Sequence, residues 1–183
     1  MPRKIVYFIL ISICFVLQTT MFHTLSFANI GPNLIIIVVT AFGLMRGKKE
    51  GMYLGFFSGL LIDIFCGFYL GVYALLYMYI GYVSGLFQKR FFPEDIQQPM
   101  LLIAGTDVCS NLIIYIIMFL TRSRYDFGYY LFHVIIPELV YTMVITIFFY
   151  FLLLKINQKL EAYERRRAIK FDLWYKRFFA TIF

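Results

Sequence analysis

Residues 43–71 read GLMRGKKEGMYLGFFSGLLIDIFCGFYLG, and in them Gly43, Gly47, Gly51, Gly55, Gly59, Asp63, Gly67 and Gly71 recur at strict four-residue intervals. One residue of an α-helix turns roughly 100°, so a four-residue step drifts only about 40° around the axis. Gly51, Gly55 and Gly59 therefore share one smooth strip on a helix, bare of side chains, where a second backbone can come close. Gly81 and Gly85 repeat the device on the following helix. Such a strip seats either another helix of the same chain or the transmembrane helix of a partner. Gly67 and Gly71 read as the tight turn between these two helices, where glycine relieves backbone strain.

Apolar runs extend on both sides of this segment, over 5–22, 30–45, 52–65, 70–87, 100–120 and 129–154. A helix needs about 20 apolar residues to cross the hydrocarbon core, which the first, fourth, fifth and sixth runs approach or exceed. The second and third are short, and short spans are tolerated when packed between longer neighbours. The 183-residue chain is 62% hydrophobic and 15% charged, with a mean hydropathy of +0.79. That is more apolar surface than one soluble core of this size can hide, so lipid is the expected solvent. The fold class expected is all-α, a polytopic transmembrane bundle of about six spans.

A net charge of +7 can signal nucleic acid, but here the basic residues sit in short clusters between apolar runs and line no single face, so no nucleic-acid partner is expected. The clusters act as an orientation signal, because cytoplasmic loops carry the excess of Lys and Arg. With Arg3 and Lys4 inside, six spans also place Arg46, Lys48, Lys49, Lys89, Arg90 and the basic C-terminal segment inside. Only Arg122 and Arg124 then fall outside. Both termini are thus expected in the cytoplasm of a bacterial inner-membrane protein. The N-terminus also resembles a secretory signal, with Ser26 and Ala28 at cleavage-site spacing. Its apolar run is longer than usual, however, and Gln18, Thr19 and Thr20 interrupt the end, so it is read as a span. Residues 1–158 form the expected membrane domain and 159–183 a basic, aromatic cytoplasmic tail. In that tail Arg165, Arg166 and Arg167 join Arg46, Lys48 and Lys49 as basic groups at the membrane surface.

Asp63, Asp107 and Glu138 lie in or beside apolar runs, where a charge costs at least ~2.5 kcal/mol on insertion scales, so each must face protein, water or the interface. Asp63 falls near the outer end of its helix and is expected to cap the glycine turn that follows. Asp107 and Asn111 stand one turn apart, as do Glu138, Thr142 and Thr146, and both polar stripes should turn inward. They suit interhelical hydrogen bonding, or alternatively a small-molecule or ion path with Asp107, Asn111 and Glu138 lining it. Pro137 removes a backbone donor and is expected to kink its helix near Glu138. Cys14, Cys66 and Cys109 form no paired ligand spacing and read as buried packing residues. His23 reads as interfacial. No nucleophile–base set, phosphate loop or zinc spacing occurs, so no enzyme activity, cofactor or metal is expected.

Pro32 and Asn33, the aliphatic run to Leu44, Met45, Arg46 and Gly47, then Glu50, Gly51, Gly55, Phe56, Gly59, Leu60, Asp63, Gly67 and Gly71, with Gly81, Tyr82 and Gly85 beyond, resemble the MreD family of rod shape-determining membrane proteins. The resemblance covers residues 30–85, with length and span pattern agreeing elsewhere. It implies a non-enzymatic role in cell elongation, beside the membrane protein MreC and the actin-like MreB. RodA and a class-B penicillin-binding protein complete the implied complex, which builds lateral peptidoglycan. A distant similarity of that family to the substrate-binding S components of energy-coupling-factor transporters implies the alternative, small-molecule binding or transport. Glu138 and the basic tail lie outside the resemblance.

Overall fold

The computed structural model describes residues 3–24, 31–65, 71–90, 96–122 and 127–182, and every regular element among them is helical. In chain order these are α1 (Arg3–Thr24), α2 (Leu34–Arg46), α3 (Lys48–Phe65), α4 (Val72–Leu86) with a 3₁₀ turn (Phe87–Arg90), α5 (Gln97–Arg122), α6 (Phe127–Tyr130), a π turn (Leu131–Ile135) and α7 (Ile136–Ile182). Each apolar run of the sequence thus lies largely in a helix.

The second run begins its helix only at Leu34, because Pro32 and Asn33 form the entry. Leu34 N–H donates to Pro32 O at 3.2 Å, and the Asn33 side chain accepts from Ile36 N–H at 3.2 Å as a helix cap. The 13-residue α2 is buried over its whole length from Leu34 to Met45. A helix apolar all round belongs at the centre of a bundle, and α2 packs against α1, α3, α4, α5 and α7. One side of α2 meets Tyr7, Ile11 and Cys14 of α1 with Tyr150 and Leu153 of α7. The other meets Ile62, Leu76, Tyr77 and Ile80. At about 1.5 Å per residue α2 is some 20 Å long, less than a bilayer core, and its enclosure by protein explains why it tolerates that length.

Gly47 alone joins α2 to α3. Its φ of +97° is a left-handed conformation that a side chain resists, and a Cβ there would run into the Gln88 side chain. Gly47 N–H closes α2 on Gly43 O at 2.8 Å, and Gly47 O receives Gly51 N–H at 3.0 Å. Pro99 sits in the first turn of α5, where a missing N–H costs nothing.

Pro137 behaves differently from a simple kink. It follows the π turn, in which Ile136 N–H reaches back five residues to Leu131 O. The wider turn gives the ring room and absorbs the absent donor. From there α7 runs for 47 residues, about 70 Å, and the backbone stays helical past residue 158, where the composition becomes basic.

By length and composition, Gln97–Ile117 and Phe127–Arg167 are long and apolar enough to cross a membrane, while Lys4–Thr20 and Leu34–Arg46 are shorter apolar helices. The outside of the bundle is covered with large apolar side chains, among them Phe8 at 65%, Leu101 at 78% and Phe148 at 77% exposure. A continuous apolar surface of this kind suits lipid. Cys14 is buried as expected, whereas Cys109 is exposed, and Cys66 lies outside the described residues, as do Gly67, Arg124, Ser26 and Ala28.

Candidate functional site

The glycine strip of α3 is filled by α4 of the same chain. A Cβ added at Gly55 would overlap the Tyr77 carbonyl, one at Gly59 the Tyr73 carbonyl, and one at Gly51 the Gly81 carbonyl. The fit is reciprocal, since a Cβ on Gly81 would strike Gly51 O and one on Gly85 would strike Lys48 N. Gly43 of α2 closes on the same point, 2.8 Å from a built Cβ to Gly81 O. Backbones in this contact gain dispersion along the whole seam, which is what holds membrane helices together when lipid is as apolar as their side chains.

Asp63 fastens the end of the seam where α3 gives way to α4. Its Oδ2 accepts from Gly71 N–H at 3.0 Å and Ala74 N–H at 2.9 Å, while Oδ1 accepts from Tyr73 N–H at 3.0 Å. These are donors that the first turn of α4 leaves open, and a carboxylate also suits the positive end of a helix. The side chain is 3% exposed, so the cap is enclosed in the bundle.

The two inward stripes meet behind α2. Asp107, Thr142 and Thr146 are wholly buried and Asn111 is 5% exposed. Asn33 is the hub between them: its N–H donates to Thr142 Oγ1 at 3.2 Å, and its Nδ2 donates to the Tyr77 hydroxyl at 3.0 Å. Gln18 of α1 accepts from Ile35 N–H at 3.2 Å, so the start of α2 is held by two side chains. Glu138 faces the amides of Asn111 and Asn33. Thr142 faces the Asp107 carboxylate, yet neither carboxylate oxygen completes a hydrogen bond among the described residues. A second interhelical link joins Thr40 of α2 to Thr106 of α5 at 3.1 Å. Asn111 and Thr146 bond instead to carbonyls of their own helices. A cavity of about 370 Å³ opens beside this cluster, lined by Asn33, Asn111, Glu138, Tyr73, Tyr77 and Tyr130, with Gln18 and Thr19 at its α1 side.

At the opposite end, Arg46 is turned inward, its side chain 8% exposed. Its guanidinium donates from Nε to Asn157 Oδ1, from one terminal nitrogen to Glu164 Oε2 at 2.9 Å, and from the other to Asn157 O at 3.4 Å. This planar fork ties the end of α2 to α7. Lys48 and Lys49 are exposed, Lys48 lying 5.8 Å from the centre of the Tyr82 ring. Arg165, Arg166 and Arg167 are exposed along α7.

Sequence reasoning did not find the trough between α4 and α5. These helices barely touch, and an apolar groove of about 980 Å³ separates them, lined by Tyr79, Val83, Leu101, Gly105, Cys109 and Ile113 among others. Gln97 to Ile113 spans about 24 Å of helix, most of a hydrocarbon core. A Cβ added at Gly105 meets nothing, so Gly105 and Cys109, one turn apart, leave a low point in the wall. Arg90 and Gln98 stand at one end, and Gln98 Oε1 is buried there without a hydrogen-bond partner. The Gly105–Cys109 spacing was the available signal.

Among known proteins, the family model described as rod shape-determining protein MreD matches residues 1–160 of the chain. No curated protein and no solved structure gives a match.

Proposed function

The chain belongs to the MreD family of rod shape-determining membrane proteins, and on that footing we propose that it is a membrane scaffold of the cell-elongation complex, holding MreC by its transmembrane helix. The family match over 1–160 carries the reading. In it α1 to α5 and α7 are six spans of the inner membrane, both termini are cytoplasmic, and the exposed Lys48, Lys49, Lys89 and Arg90 face MreB together with the α7 extension. Through MreC the scaffold serves RodA and the class-B penicillin-binding protein that build lateral peptidoglycan.

The docking face we assign to MreC is the α4–α5 trough. Since α4 occupies the glycine strip of α3, the seam of Gly51, Gly55, Gly59, Gly81 and Gly85 acts as a stiff wall for that trough. Three features favour a helix as occupant: a length near that of the hydrocarbon core, the small Gly105 and Cys109 that admit close approach, and the unpaired Gln98 oxygen awaiting a donor. Complementation tests the reading. In rod-shaped cells depleted of the native protein, the wild-type chain is expected to restore rods and co-purify MreC. The Gly105→Leu, Cys109→Leu double variant, present at normal membrane levels, is expected to leave cells round and to lose at least tenfold of the MreC. Rods with full MreC recovery from that variant would remove the trough as the interface.

A further inference from the structure

Beside the docking role, the cavity between α1, α4, α5 and α7 has the make-up of a ligand site that a scaffold does not need. Its volume of about 370 Å³ falls within the range of small-molecule pockets. The walls include the side chains of Tyr73, Tyr77 and Tyr130, and the polar groups include Asn33, Asn111 and Glu138. No Lys, Arg or His is among the described residues lining it. The nearby His133 is turned away and stacks on Tyr129, ring centres 4.2 Å apart.

Behind the cavity, one turn from Asn111, lies Asp107, wholly buried with both carboxylate oxygens unpaired and within electrostatic reach of Glu138 and Tyr77. Two carboxylates converge on one polar core, and no described basic side chain lines the space between them and the opening. An enclosed carboxylate without a partner is expensive, and a cation entering from outside relieves it. The character of the walls selects the kind of cation. A bare metal ion would need several oxygen ligands drawn close, whereas one carboxylate lines a roomy space and no group of three acidic, His or Cys side chains suited to a metal occurs among the described residues. Tyrosine rings with a carboxylate and an amide oxygen suit an organic ammonium, through cation–π attraction, an ion pair and an N–H acceptor.

The geometry points to a binding site for a small primary ammonium group in this cavity, paired with Glu138, with the Asn111 amide oxygen as a further acceptor and Tyr73, Tyr77 and Tyr130 beside it. The ammonium is carried either by a free amine or by the ethanolamine headgroup of a lipid. The site is separate from the α4–α5 trough and stands or falls without it.

The test uses the purified full chain in nanodiscs of phosphatidylglycerol, titrated by calorimetry with benzylamine and with its neutral and anionic isosteres, benzyl alcohol and benzoate. Saturable benzylamine binding is expected, with the two isosteres at least tenfold weaker. Glu138→Gln should weaken benzylamine by tenfold or more at an unchanged Tm, and Tyr130→Leu should weaken it severalfold. Nanodiscs containing phosphatidylethanolamine separate the two sources: competition with benzylamine identifies the lipid headgroup, and unchanged affinity identifies a free amine. Equal binding of benzyl alcohol, no binding of any probe, or full affinity in both variants would overturn the assignment.

Discussion

Asp63 takes three backbone N–H groups that the first turn of α4 would otherwise leave open inside the bundle. Buried hydrogen bonds to a charged acceptor contribute more than neutral ones, and orphaned donors carry a desolvation cost. Asp63→Ala is therefore expected to destabilise the protein by about 2–3 kcal/mol, seen as a lower Tm in detergent. Asp63→Asn, which keeps one accepting oxygen, should fall between. Equal Tm for all three proteins would mean that water replaces the cap. The role of Asp63 is legible in the sequence because donor and acceptor lie eight to eleven residues apart, on either side of a glycine turn. Asn33 is legible only in part. A polar residue before an aliphatic run announces a helix cap, but its bond to Thr142 spans 109 residues, and no local pattern encodes that. Arg46 reads in the sequence as a basic group at the membrane surface, while its partners Asn157 and Glu164 lie 111 and 118 residues away.

Among the elements, α3 and α4 show what spacing discloses and what it leaves open. Four-residue glycine intervals establish a bare strip, because helical geometry leaves little freedom there. Its occupant depends on tertiary arrangement, and the occupant is α4, down to the contact of Gly55 with the Tyr77 carbonyl. Gly55→Leu should therefore prevent the seam from closing and sharply lower the amount of folded protein in the membrane, read by detergent-soluble yield and monodispersity. Gly105→Leu faces open space and adds helix propensity, so its stability should stay within about 0.5 kcal/mol of wild type. If the two variants accumulate equally, the seam is not what holds these helices. The α4–α5 trough escapes the sequence for the opposite reason: it is a space where two apolar helices fail to meet, and composition does not record distance between helices. The π turn before Pro137 escapes too, since a missing donor signals disturbance without specifying how the backbone absorbs it.

At the scale of the whole molecule, a short central α2 is enclosed by longer helices, and the described residues leave a polar and an apolar opening. A polar cavity lies near the start of α2, and an apolar trough runs along α4 and α5. From the same bundle α7 carries its basic extension outward, anchored to α2 through Arg46. The all-helical class follows directly from apolar run lengths. Which faces remain open does not, because that depends on the joint packing of all the helices. With a single-span partner completing the trough, Cys109, exposed within it, becomes a built-in probe. The direct measurement is oxidative crosslinking in membranes from a chain whose Cys14 and Cys66 are replaced by Ala, leaving Cys109, against MreC carrying single cysteines along its transmembrane helix. Disulfides need Cα atoms within about 7 Å, so crosslinks are predicted at positions three to four residues apart on one face of that helix. If Cys109 gives none, while a cysteine placed at the exposed Phe148 of α7 crosslinks on such a face, MreC lies elsewhere and docking in the trough is wrong.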